Sequence, residues 1–103
     1  MIKHCVFLNL RADADHVALN AAIADLKALV GVVPGFLALD YGPNEDYEGK
    51  SPDFDSGFIA SFSDRKARAD YDADPRHKAA GGVLVAQCTG GADGIFVVDL
   101  VCD

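Results

Sequence analysis

The sequence predicts an α+β fold: a four-stranded antiparallel sheet carrying its helices on one face. Three observations lead there. Four short stretches read as strands, residues 2–10 and 54–62 by alternation of their side chains and residues 36–41 and 95–101 as short apolar runs. Between the first two of them, apolar residues recur at spacings of three and four, the period of a helix. Helical patterning returns only between the third and fourth stretches, which fixes the order β-α-β-β-α-β.

Residues 2–10 form the first strand, with Ile2, His4, Val6, Leu8 and Leu10 on one side and Lys3, Cys5, Phe7 and Asn9 on the other. Asp13 or Asp15 offers a helix N-cap. The stripe Leu19, Ile23, Leu26, Val30, Val33 then predicts a helix of four to five turns, stopped by Pro34-Gly35. Residues 36–41 read as a second strand, apolar on both faces. A polar loop over 42–53 carries Glu45, Asp46 and Glu48, the composition of a solvated loop. Residues 54–62 alternate as a third strand. Ser63 is placed to cap a short helix reaching Tyr71, and Asp74-Pro75 to start another that runs to about Cys88, because proline suits the first helical position. Gly81-Gly82 weakens that second helix by about 1 kcal/mol per glycine. A glycine-rich turn over 89–94 leads to a final strand, 95–101. The arrangement is ferredoxin-like. If Val6, Leu8, Leu39 and Val97 meet the helices, Phe7, Phe36, Phe96 and Val98 lie on the opposite face. A sheet apolar on both faces needs a second cover, and a second copy of the chain supplies one. A homodimer through the sheet face is therefore expected, its two sheets closing an α+β barrel.

The 103 residues suffice for one domain, 1–103, and half of them are hydrophobic. A net charge of −7 repels phosphate backbones and anionic lipid, which argues against nucleic-acid and membrane partners. No apolar run approaches the roughly 20 residues of a membrane span. Cys5, Cys88 and Cys102 are odd in number and far apart, as expected of reduced thiols in the cytoplasm.

Chemistry concentrates at residues 71–77. Tyr71 ends one helix, and His77 falls in the first turn of the next. An imidazole and a phenol so close in sequence suit proton transfer and oxyanion binding. The plain alternative is a helix-fastening histidine beside a core tyrosine. His4, on the apolar face of the first strand, is either a pocket residue or a hydrogen-bonded core residue. His4 and His77 lack a third ligand for a metal. The glycines at 90, 91 and 94 precede a strand, the wrong context for a phosphate loop.

Met1-Ile2-Lys3-His4, Val33-Pro34-Gly35, Tyr71 and Asp74-Pro75-Arg76-His77 together resemble the stress-responsive A/B barrel (Dabb) family along essentially the whole chain. The resemblance implies the same ferredoxin-like fold and a dimeric α+β barrel. From the family's plant polyketide cyclases it also implies catalytic roles for Tyr71 and His77 and a pocket role for His4. A second pocket histidine of those cyclases falls at Ser56. The family's His-Pro-x-His-x-x-Phe becomes Asp74-Pro75-Arg76-His77-Lys78-Ala79-Ala80, with Ala80 expected to widen the pocket where a ring is lost.

The expected site thus has His77 as general base and Tyr71 as oxyanion stabiliser. His4, Val6, Leu8, Ile23, Ser56 and Phe58 bind the substrate, with no metal and no cofactor. The activity would be that of a cyclase, isomerase or lyase on a small apolar or aromatic carbonyl compound. The alternative is a non-catalytic dimer that binds a hydrophobic ligand or a protein partner. A flavin- or haem-dependent oxygenase is a third reading, for which no axial-ligand or glycine-rich pattern speaks.

Overall fold

Seven elements follow one another: β1 (Ile2–Leu8), α1 (His16–Lys27), β2 (Phe36–Pro43), β3 (Ser56–Phe62), α2 (Arg65–Ala73), α3 (Pro75–Gln87) and β4 (Ile95–Val101). A 3₁₀ turn, Gly91–Gly94, precedes β4. The computed structural model describes residues 1–103. The strands lie in the order β2-β3-β1-β4, and every neighbouring pair is antiparallel. This is the predicted α+β sheet, with the later helical segment divided into α2 and α3.

The helices begin where short acidic side chains can cap them. Asp15 Oδ1 accepts from the Ala18 N–H at 3.0 Å, and Asp64 Oδ1 from the Ala67 N–H at 2.8 Å. Asp64, rather than Ser63, therefore starts α2. Its carboxylate satisfies one of the orphan N–H groups and suits the positive end of the helix dipole. Asp74 caps α3, with Pro75 at the first helical position.

α1 is shorter than the apolar stripe suggested. It ends at Lys27, while Leu29 and Val33 reach the core from turns. Val30, Val32 and Val33 are poor helix formers, and Gly31 sits at φ +78°, a conformation that breaks the helix. Gly35 is also left-handed, at φ +82°, and a side chain there would collide with Ser63 and Ala67. That close approach seats the start of α2 against the start of β2.

The core lies between sheet and helices. Val6, Leu8, Phe58, Ala60 and Phe62 meet Leu19, Ile23 and Leu26 of α1 and Leu84 of α3. Each large side chain so buried stabilises the fold by about 1.5–3 kcal/mol. Phe36 corrects the face expected for it. The register shifts between Phe36 and Ala38, so Phe36 pairs with Phe62 and stacks on it at 4.8 Å inside this core. The bulge reverses which face the residue meets. The open face keeps Phe7, Ile59, Phe96, Val98 and Leu100; Phe96 is 53% and Leu100 50% exposed.

No helix is long and apolar enough to cross a membrane.

Candidate active site

The α2–α3 junction and the helix-facing side of β1 and β4 meet around a cleft of about 380 Å³. β1 places His4 and Val6 there, β3 places Phe58, and β4 places Ile95 and Val97. α2 contributes Arg68, Tyr71 and Asp72, and α3 contributes His77, Lys78 and Gly81.

Tyr71 is fully buried, 0% exposed. Its ring packs on Phe36 at 5.0 Å, Phe62 at 5.1 Å and His77 at 4.3 Å between centroids. His4 stands edge-on to it at 6.2 Å, and the Arg68 guanidinium lies 5.9 Å from its centroid. The hydroxyl has no hydrogen-bond partner although it is buried. A buried hydroxyl left unpaired costs about 1–3 kcal/mol, so it needs a reason. Burial pushes the phenol up to about 12, against the pull of Arg68. Near neutrality it is a proton donor.

His77 is half-buried on the first turn of α3. Its Nδ1 lies 3.2 Å from the Asp72 carbonyl oxygen. That oxygen is among the last carbonyls of α2, which have no helical partner. A carbonyl only accepts, so Nδ1 carries the proton and Nε2 keeps its lone pair in the neutral ring. The cap that starts α3 holds this geometry: Asp74 Oδ1 accepts from the Arg76 N–H at 2.8 Å, and its Oδ2 from Arg76 Nη2 at 2.7 Å.

His4 is 6% exposed, and its Nδ1 lies 2.7 Å from Asp99 Oδ1. The pair follows from register, since His4 and Asp99 are directly opposite on β1 and β4. Arg68 Nε approaches the same carboxylate oxygen at 3.5 Å, and Arg68 Nη1 bonds Asp72 at 3.3 Å. Burial first, then the Arg68 charge, pushes His4 below its ordinary value, against the hydrogen bond and charge of Asp99. Partial burial of Asp99 opposes its ionisation, yet His4 and Arg68 hold its carboxyl below the usual range.

Of the expected site residues, the cleft brings together His4, Val6, Phe58, Tyr71 and His77. Leu8 and Ile23 are buried in the core without lining it. Ser56 is removed from it altogether. His4 pairs with Ala60 of β3, four residues along from Ser56, about 13 Å at strand rise. Ser56 instead lines a larger cavity, about 520 Å³, with Phe7, Tyr41, Phe54 and Phe96, and its Oγ lies 3.4 Å from the Tyr41 hydroxyl. Ala80, expected to widen the cleft, is buried but does not line it; Gly81 does. Sequence reasoning missed Asp99 and Arg68. The available signal was an acid on the apolar side of β4, in the alternation Ile95, Val97, Asp99, Val101. No group of three His, Cys, Asp or Glu side chains is placed to hold a metal ion.

Comparison with known proteins bears on the fold and the family. A dimeric ferredoxin-like protein of unknown function from Jannaschia shares 40% identity, with 98% of each chain covered and a TM-score of 0.93. A protein of Arabidopsis thaliana superposes with a TM-score of 0.83 at 18% identity, covering 100% of this chain and 96% of its own. The hydroxynitrile lyase of Passiflora edulis superposes with a TM-score of 0.80 at 14% identity, covering 99% and 93%. No curated protein matches the chain. The model of the stress responsive A/B barrel domain matches residues 2–102, and the chain belongs to that family.

Proposed function

We propose that the chain is a homodimeric, cofactor-independent enzyme acting on a small apolar or aromatic carbonyl compound, as a cyclase, isomerase or lyase. The observation that carries this is the Tyr71 hydroxyl, buried, protonated and without a partner beside two imidazoles. A carbonyl oxygen completes it. Tyr71 donates to that oxygen and stabilises the charge that develops on it. His77, with Nε2 free, takes or returns a proton. Val6, Phe58, Ile95 and Val97 supply an apolar wall. The hydroxyl is closed to water, so a ligand oxygen reaches it by displacing a neighbour. The half-buried His77 ring, held by one 3.2 Å contact, is the least restrained. A lyase is among the proposed classes, and the Passiflora relative bears that name.

The open sheet face supports the dimer. Phe7 and Phe96 stack at 6.4 Å and both contact Phe54, forming an aromatic patch on the same face as the exposed Ile59 and Leu100. A second copy covers it; the Jannaschia relative is dimeric too.

Acetophenone titration followed by the Tyr71 and His77 ring resonances tests the site. Saturable shifts at both rings, and at least a tenfold weaker affinity in Tyr71→Phe, are expected. Equal affinity in that variant removes the phenol from the account. The second reading, a dimer that only binds an apolar ligand, draws on the 520 Å³ aromatic cavity around Phe7, Phe54 and Phe96. Shifts confined to those rings favour it.

A further inference from the structure

Asp99 is the acid that interrupts the apolar side of β4, and its carboxylate is shared between His4 and Arg68. A carboxylate only accepts. At 2.7 Å it therefore fixes the His4 proton on Nδ1, leaving the Nε2 lone pair unbonded in a ring that lines the cleft and faces Tyr71. The bland explanation is a core histidine satisfied by a neighbour. It accounts for one nitrogen and leaves the other, with the unpaired Tyr71 hydroxyl 6.2 Å from ring to ring, without a purpose.

We propose that His4 is a second proton-transfer residue of the cleft, alongside His77, and that Asp99 is the positioning residue that sets its tautomer and stabilises its cation. This rests on the carbonyl reading above and deepens it. The Nε2 lone pair takes a proton from the carbon next to the carbonyl, and the C–H electron pair becomes the carbon–carbon double bond of an enolate. The carbonyl π pair moves to oxygen, which accepts the Tyr71 hydrogen bond. The proton stays on His4 as an imidazolium paired with Asp99 until it is returned to carbon or oxygen. The groups facing His4 are Asp99 from β4, Arg68 and Tyr71 from α2, and His77 and Lys78 from α3. Burial and Arg68 favour the neutral ring, the form a base requires.

The test uses 5-nitrobenzisoxazole, whose ring opening needs only removal of a proton from carbon, together with nitrogen-15 NMR of the imidazoles. The rate in the parent should rise with pH along the titration of His4 read by NMR. His4→Gln should lower it by roughly 10²–10⁴-fold, and exposed His16→Gln should leave it unchanged. In Asp99→Asn the midpoint of the rate profile should move to lower pH, since the carboxylate that favours the cation is gone; Asp99→Glu should restore it in part. A merely structural Asp99 leaves the midpoint in place. A rate that survives His4→Gln, a parent profile that does not follow His4, or no rate above buffer overturns the proposal. Where His4→Gln fails to fold, the coincidence of the two parent titrations still decides. Acetophenone binding scores the carbonyl reading separately, because benzisoxazole opening requires no carbonyl.

Discussion

Tyr71→Phe should stabilise the unliganded protein while weakening its hold on a carbonyl ligand. The substitution removes one oxygen and keeps the ring, with its contacts to Phe36, Phe62 and His77 at 5.0, 5.1 and 4.3 Å. In the unfolded chain the hydroxyl is hydrated; in the folded one it is buried without a partner. Its removal therefore recovers about 1–3 kcal/mol. For a domain of this size each kcal/mol raises Tm by roughly 4–8 °C. Urea unfolding at a fixed protein concentration measures the gain, because dimerisation makes apparent stability depend on concentration. The midpoint should rise with the slope unchanged. Tyr71→Ala, which also deletes the ring, should instead cost about 3–5 kcal/mol. A loss of about 1 kcal/mol or more in Tyr71→Phe refutes the reasoning. The hydroxyl would then have a partner in the folded protein and would not be waiting for a ligand.

Gly82→Ala, in the interior of α3 where an added Cβ meets nothing within 4 Å, should stabilise by about 0.5–1 kcal/mol in the same assay. Phe96→Lys places a charge in the middle of the open-face aromatic patch and should leave a folded monomer in sedimentation at micromolar concentration. Asp74→Ala should cost about 1 kcal/mol near neutrality by uncapping α3. The side chain and backbone of Arg76 lower the Asp74 carboxyl from 3.8 to about 2, so its contribution is present above its unfolded value and lost as pH falls through about 2. The stability gap between parent and Asp74→Ala should close over that window.

Much of this architecture is legible in the chain. Alternation found β1 and β3, each read two residues too long, short apolar runs found β2 and β4, and β4 came out at 95–101, where the structure has it. Acid-before-helix signals placed the α3 cap at Asp74 and narrowed the α1 cap to Asp13 or Asp15, of which the structure uses Asp15. Phe36 was misplaced because a bulge breaks the period-two rule without leaving a mark in the sequence. Val30 and Val33 extended the helical stripe because turns can deliver side chains to a core at helix-like spacing. The site was half legible. Tyr71 and His77 are neighbours in sequence, and the junction that joins them carries its own cap signals. The His4–Asp99 pair spans 95 positions and depends on strand register, which alternation alone does not fix. Ser56 entered the expected site only through the family resemblance, and it lines the other cavity, four residues along β3 from the partner of His4.

The claim at the centre of this account is that the unpaired Tyr71 hydroxyl is the seat of a carbonyl oxygen. A crystal structure with acetophenone bound tests it most directly. The ketone oxygen is expected about 2.6–3.2 Å from Tyr71 Oη, with the His77 ring displaced and the aromatic ring against Val6 and Phe58. A ketone seated among Phe7, Phe54 and Phe96, with Tyr71 still buried and unpaired, would contradict it.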